Sequence, residues 1–302
     1  MTEAAAPGAD SGALQEAVRE LVAASAGRGL DAVALRVVAG TPPTISGRVL
    51  TERQARGVAD IARAHGADVD VLVAADPMSG LEEGWSDIAV EVLDLWRTPG
   101  RAGEDMGRQT QYLDADGPLR RLGQAGAWVL VQGPDLAIGW AAAADLRDAA
   151  TPQGRPWADI TRAVDGTLVD PALEGATVGL ALNRARAALG APYVWGGTTS
   201  AGFDCSGLVQ RVLLDGAGVM LPRHTADQRH AGVRVVAGEV AAGDLLFATP
   251  RGQKVGHVVL MTSAETVLHA CRTEHRVIEE SLADNAARYQ HQGWRRPVDL
   301  RA

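Results

Sequence analysis

The sequence predicts an α+β chain of three units, and three observations carry that expectation. Residues 1–80 alternate helical and strand periodicity. Residues 86–150 hold short apolar runs punctuated by Gly, Pro and Asp, and residues 165–302 give two amphipathic helices followed by strand-like runs. Two turn-rich stretches, DPMSGLEEG (76–84) and TPQGRPW (151–157), read as the linkers between them. At 302 residues and 46% hydrophobic, the chain is large enough to bury more than one core.

The first unit opens with a helix over 11–25, with Leu14, Val18, Leu21 and Val22 at helical spacing. DAVALRVVA (31–39) and TISGRVL (44–50) read as strands. TERQARGVADIARAHG (51–66) reads as a helix capped by Thr51 and ended by Gly66, and ADVDVLVAA (67–75) alternates as a strand should. The order resembles a BON-type module, and no residue in it suggests chemistry.

In the second unit IAVEVLDLWRTPG (88–100), GAWVLVQG (126–133) and AIGWAAAADL (137–146) read as strands of a small barrel. Trp128, Val131, Gly139 and Trp140 form a pattern that resembles bacterial SH3-like domains. That resemblance implies recognition of cell-wall peptides by exposed aromatics. The alternative is that these aromatics only fill the barrel core.

The third unit begins with the helix ATVGLALNRARAALG (176–190) and the loop APYVWGGTTSAGF (191–203). A second helix follows over DCSGLVQRVLLDGAG (204–218), with Leu208, Val212 and Leu213 as its apolar stripe. GDLLFAT (243–249), GHVVLMT (256–262), TVLHAC (266–271) and RVIEES (276–281) then read as antiparallel strands.

Several function classes fall away. The net charge is −8, the arginines are scattered and Lys254 is the only lysine, so no basic stripe for nucleic acid is present. No apolar run approaches the ~18 residues of a membrane span. No phosphate loop or dinucleotide fingerprint stands in a strand–turn–helix context. The first twenty residues carry early acidic residues and no apolar stretch of a secretory leader. With only two cysteines, this leads us to expect a cytoplasmic, reducing location; unconventional export, or a leader already removed, is the alternative.

Cys205 in GFDCSG has three readings: a small core residue, half of a bridge to Cys271, or a nucleophile. Asp204 before it can cap the helix, which puts the thiol in the first turn, where the helix dipole favours the thiolate. Ser206 and Gly207 are small enough to admit a substrate, and the N–H of Cys205 or Ser206 can serve an oxyanion. Among seven histidines, His257 and His269 each sit within an apolar strand pattern. A hairpin symmetric about Ser263 would set Val259 opposite Val267 and His257 directly opposite His269. One imidazole would then orient the other as the base for Cys205. A pair of core histidines is the alternative. His269, Cys271 and His275 do not complete a metal site, since structural zinc takes four ligands. No metal or other cofactor is therefore expected.

At this point the residues resemble the NlpC/p60-type cell-wall cysteine peptidases, whose core is papain-like. APYVWGG, GFDCSGLV, LPRHTADQ, AGDLLF, GHVVLM and VLHA follow that family's order over about residues 176–281. The resemblance implies Cys205 as nucleophile, His257 as base and His269 as the orienting third residue. It places Tyr193 on the oxyanion side, and Asp204, Ser206, Trp195, Arg223 and His224 at the substrate. It further implies hydrolysis of the bond from γ-D-glutamyl to a diamino acid, such as meso-diaminopimelate, in peptidoglycan stem peptides or free muropeptides. A preceding SH3-like domain is similar to the arrangement of enzymes that recycle wall fragments, with VLDLWRTPG matching their first barrel. Those enzymes have, after the PR pair, an aspartate that binds a free L-Ala amine; here His224 stands there, with Asp227 the nearest substitute. The alternatives are a Cys–His amidase or acyltransferase on another substrate, and a non-catalytic binder of wall fragments.

Overall fold

The computed structural model describes residues 11–26, 34–49, 52–73, 84–100, 102–103, 106–135, 137–150, 178–252 and 256–298. Thr51, the linker TPQGRPW and DPMSGLEEG up to residue 83 lie outside them.

The first unit follows the expected order: α1 (Ser11–Ala26), β1 (Ala34–Val38), β2 (Thr44–Val49), α2 (Glu52–His65) and β3 (Asp68–Val73). Its sheet runs β1-β2-β3, with β1 antiparallel and β3 parallel to β2, because α2 crosses over between them. Leu14, Val18, Ile45, Val49 and Val58 form its buried face.

The second unit is a seven-stranded sheet. Its strands are β4 (Trp85–Ile88), β5 (Leu93–Trp96), β6 (Arg108–Tyr112), β7 (Leu119–Ala125), β8 (Trp128–Gln132), β9 (Ile138–Ala142) and β10 (Leu146–Ala149). Their order is β10-β4-β7-β8-β9-β5-β6, and among the described residues β10 and β6 are not joined, so the expected closed barrel is not found. IAVEVLDLWRTPG is two strands rather than one, since a bend at 90–92 turns the chain between β4 and β5. Trp140 is buried and Trp128 partly so, both packed in one cluster with Leu122, Leu130 and Ile138 and with residues of α1 and α2.

The third unit contains α3 (Val178–Ala187), β11 (Thr198–Thr199), β12 (Gly202–Phe203), α4 (Cys205–Ala217) and the single turn α5 (Thr225–Gln228). It continues with β13 (Val233–Val235), β14 (Leu245–Pro250), β15 (His257–Met261), β16 (Thr266–Cys271), β17 (Arg276–Ser281), α6 (Leu282–Arg288) and β18 (Tyr289–Arg296). The antiparallel sheet runs β13-β18-β14-β15-β16-β17. Helix α4 lies on it through Leu208, Val212 and Leu213, which share a core with Phe247, Val258, Leu260 and Leu268. Burial of each such side chain contributes about 2 kcal/mol. Gly216 lets α3 approach α4: a Cβ there would stand 2.4 Å from Ala181 Cα. The cleft therefore opens at the start of α4, where the sheet, α6 and the second unit meet.

Candidate active site

Cys205 begins α4, and Asp204 is its N-cap, as expected from the sequence: the carboxylate accepts from the Gly207 N–H at 2.7 Å. Gly207 is demanded by packing, since a Cβ would lie 2.1 Å from the Gly197 carbonyl oxygen. Asp204 is itself held by Arg223, whose Nη1 and Nη2 donate to its two oxygens at 3.0 and 2.7 Å. The Arg223 side chain is 1% exposed. Its Nη1 also donates to Ser206 Oγ at 2.8 Å, and its Nε to Thr110 Oγ1 at 2.9 Å. Thr110 belongs to β6, so the second unit contributes to the clamp on the nucleophile helix. Gln210 of α4 adds a bond to Asp135 at 2.9 Å, and Arg211 binds Asp116 with two bonds of 2.8 Å. As first-turn groups, the N–H of Cys205 and of Ser206 have no intrahelical acceptor.

The thiol is not a resting thiolate. Burial, and then the Asp204 carboxylate, push the Cys205 thiol up to about 11, against the Val258 N–H and the Thr225 hydroxyl, which favour the anion. The expectation from the helix start is thus corrected, because the capping carboxylate and the desolvation act against the dipole. Cys205 Sγ stands 3.9 Å from Thr225 Oγ1. Cys205 and Cys271 are both free thiols, and Cys271 sits against Thr273, Tyr289 and Arg288.

His257 opens β15 and His269 lies on β16. They are not directly opposed: Leu260 faces Leu268 and Met261 faces Val267, so the hairpin is centred on Ala264 rather than Ser263. The cause is the turn, in which the Thr262 N–H donates to the Thr266 carbonyl at 2.9 Å and leaves a three-residue loop. A shift of two residues keeps both rings on the same face, and diagonal neighbours remain within reach of aromatic side chains. His257 Nε2 and His269 Nδ1 are 2.8 Å apart. The His257 ring stacks on Tyr289 at 4.5 Å between centroids and 10° between planes.

Glu280, on β17, completes the series and is absent from the sequence-based candidates. Its Oε1 lies 3.0 Å from His269 Nε2 and accepts from Asn285 Nδ2 at 2.9 Å, while Oε2 pairs with Arg288. The signal available was face parity: Glu280 pairs with Val267 and His269 with Ile278, which makes Glu280 and His269 diagonal neighbours. Burial, then Arg288, push His269 down to about 3, and burial, His269 and Arg288 lower His257 as well. The Glu280 carboxylate favours an imidazolium, but it is already matched by Arg288, so desolvation prevails and both rings are neutral at pH 7. The tautomers follow. His269 Nε2–H donates to Glu280, so its Nδ1 accepts from His257 Nε2–H, and the lone pair of His257 is left on Nδ1.

Cys205 and His257 share one cleft of about 730 Å³. Of the residues expected at the substrate, Tyr193, Trp195, Asp204, Ser206 and His224 line it together with Cys205 and His257. Arg223 and His269 lie behind, each holding a lining residue. Burial, then Cys205 and Asp204, keep the Tyr193 hydroxyl protonated and hence a donor. His224 caps the turn α5 without a side-chain bond to it. Desolvation, followed by Arg223, disfavours its imidazolium. Asp227 is exposed and lies outside the cleft lining. Arg97, Arg108 and Gln109 bring the second unit to the cleft edge.

Residues 190–296 match the model of the NlpC/P60 family. A probable endopeptidase of Haemophilus influenzae is 40% identical over 82 residues, which are 27% of this chain and 51% of the relative. Peptidoglycan endopeptidase RipB of Mycobacterium tuberculosis is 37% identical over 109 residues, covering 32% and 44%. The γ-D-glutamyl-L-lysine dipeptidyl-peptidase of Bacillus subtilis is 39% identical over 87 residues, covering 28% and 29%. The chain spans about half of the first of these relatives and less of the others.

Proposed function

We propose, from the NlpC/P60 family domain at residues 190–296, that the chain is a cysteine peptidase of peptidoglycan stem peptides, cutting the bond from γ-D-glutamyl to a diamino acid. The observation that carries this is the hydrogen-bonded series His257–His269–Glu280, whose first member lines the same cleft as Cys205. The relatives' names, two of which specify peptidoglycan or a γ-D-glutamyl bond, support the same substrate class.

In this mechanism His257 Nδ1 takes the thiol proton as Cys205 Sγ attacks the γ-carbonyl carbon. The C–S bond forms and the oxyanion is met by the N–H of Cys205 or Ser206 and by the Tyr193 hydroxyl. His257 returns its proton to the departing amine as the C–N bond breaks. Water, deprotonated by the same imidazole, then cleaves the thioester and restores the thiol. His269 and Glu280 hold the tautomer and stabilise the imidazolium. His224 offers no negative charge to a substrate amine, so this position does not supply the ion pair that the aspartate makes in the enzymes the sequence resembles. We read residues 86–150 as an SH3-like unit that supplies one wall of the cleft, and the cytoplasm as the location.

The test is incubation with L-Ala-γ-D-Glu-meso-diaminopimelate and mass spectrometry of the products. Release of L-Ala-D-Glu and diaminopimelate by the wild type but not by Cys205→Ala is expected. Identical traces from the two proteins on tri- and tetrapeptide stems would sink the peptidase assignment.

A further inference from the structure

Among the described residues six arginines line the cleft: Arg97, Arg108, Arg229, Arg251, Arg272 and Arg288. Two are matched by carboxylates, Arg108 by Asp94 at 2.7 Å and Arg288 by Glu274 at 3.3 Å and by Glu280. The other four have no carboxylate partner among the described residues. Arg251 donates to the carbonyls of Ala286 and Ala287, and Arg229 approaches Gln292 Oε1 at 3.5 Å. Arg272 lies 5.8 Å over the Trp195 ring and 4.0 Å from the Met106 sulfur. Arg97 keeps a buried Nε with no acceptor among the described residues. The one carboxylate among the described lining residues, Asp204, is taken up by Arg223 and by the cap of α4. This concentration of positive charge stands in a chain whose net charge is −8.

Arg272 stands at Trp195 and at Met106 of the second unit, Arg97 near His224, and Arg229 and Arg251 at β18 and α6. A peptide that fills the cleft displaces water from these guanidinium groups, which costs free energy unless the peptide supplies polar partners. The cost is removed if the peptide itself brings the anions, since a guanidinium fork meets a carboxylate with two parallel bonds. We propose that the cleft selects peptides with free carboxylates and discriminates against the same peptides with those carboxylates amidated. This rests on the peptidase assignment above and specifies its substrate: one whose D-glutamyl α-carboxylate and diamino acid carboxylate are both free.

The test uses the full chain and three tripeptides: L-Ala-γ-D-Glu-meso-diaminopimelate, its D-isoglutamine form and its diaminopimelate-amide form. Turnover is measured with wild type, and affinity by calorimetry with Cys205→Ala, which gives a result whether or not cleavage occurs. Each amidation should weaken Kd and lower kcat/KM about tenfold, the loss of one charge-assisted contact. Added salt should shrink the penalty. Arg272→Gln should erase one of the two penalties and Arg251→Gln the other. Binding of the three peptides within twofold of each other, or penalties that survive both substitutions, would overturn the proposal. Discriminating affinity without turnover would instead count against the peptidase assignment alone, and equal turnover of all three against the anion selectivity alone.

Discussion

Replacing Glu280 by Gln keeps the shape of the residue behind His269 and removes its charge. The carboxylate is separated from the imidazolium that forms on His257 by one imidazole ring and two bonds of 2.8 and 3.0 Å. That puts the charges roughly 8 Å apart, worth about 2 kcal/mol at an effective dielectric constant of about 20. Losing it raises the barrier in both proton-transfer steps, so kcat should fall about 30-fold. Arg288 keeps Glu274 at 3.3 Å but loses its nearer partner, which lowers the His257 pKa further in the same direction. The acidic limb of the rate profile, where His257 must be deprotonated, should therefore move to lower pH. Stopped-time chromatography of the released diamino acid gives kcat, and thermal unfolding checks that the fold is kept. The double variant Glu280→Gln, Arg288→Met removes both charges and should recover part of the loss. A kcat within threefold of wild type, with an unshifted acidic limb, would refute the relay through His269.

Four further outcomes follow from the same contacts. Alkylation of Cys205 by iodoacetamide, followed by peptide mass mapping, should be slow at pH 7 and accelerate toward pH 11, because only the thiolate reacts and burial holds the proton on. Arg223→Met leaves the Asp204 carboxylate buried without its cation and should cost about 3–5 kcal/mol, read as a fall in Tm of about 10 °C. His269 is lowered from 6.5 to about 3 in the folded protein, so the unfolded state binds the extra proton between those values. Stability is complete above pH 6.5 and lost as pH falls, by up to about 1.4 kcal/mol per pH unit, and His269→Gln should flatten the Tm profile there. Gly207→Ala drives a methyl into the Gly197 carbonyl and should lower kcat and Tm together.

How much of this could be read beforehand depends on where the information lies. Asp204, Cys205 and Gly207 are neighbours in sequence and form a local unit, cap and first turn, so the helix start is visible without tertiary knowledge. The histidines are visible through strand parity, which survives a register error of two residues; the error itself came from a turn whose closing bond joins Thr262 to Thr266. Glu280 was hidden because RVIEES reads as a half-solvated strand, and its partners Asn285 and Arg288 come from α6, which follows it. β18, YQHQGWRR, is polar and yet lies inside the sheet between β13 and β14. β6, RQTQY, is polar because its Thr110 meets the buried Arg223 across the boundary between units. Strands that serve polar networks lose the apolar alternation by which strands are found. The helix dipole at Cys205 was likewise visible, whereas the opposing burial arises only when α4 packs on the sheet.

The most direct measurement is acid-quenched peptide mapping of the wild-type chain during turnover of L-Ala-γ-D-Glu-meso-diaminopimelate. The account predicts a transient adduct, an L-Ala-D-Glu acyl group in thioester linkage, on the peptide that contains Cys205 and on no other. Product formation with Cys205 unmodified at every quench time and unchanged in Cys205→Ala, or an adduct on Cys271 instead, would contradict it.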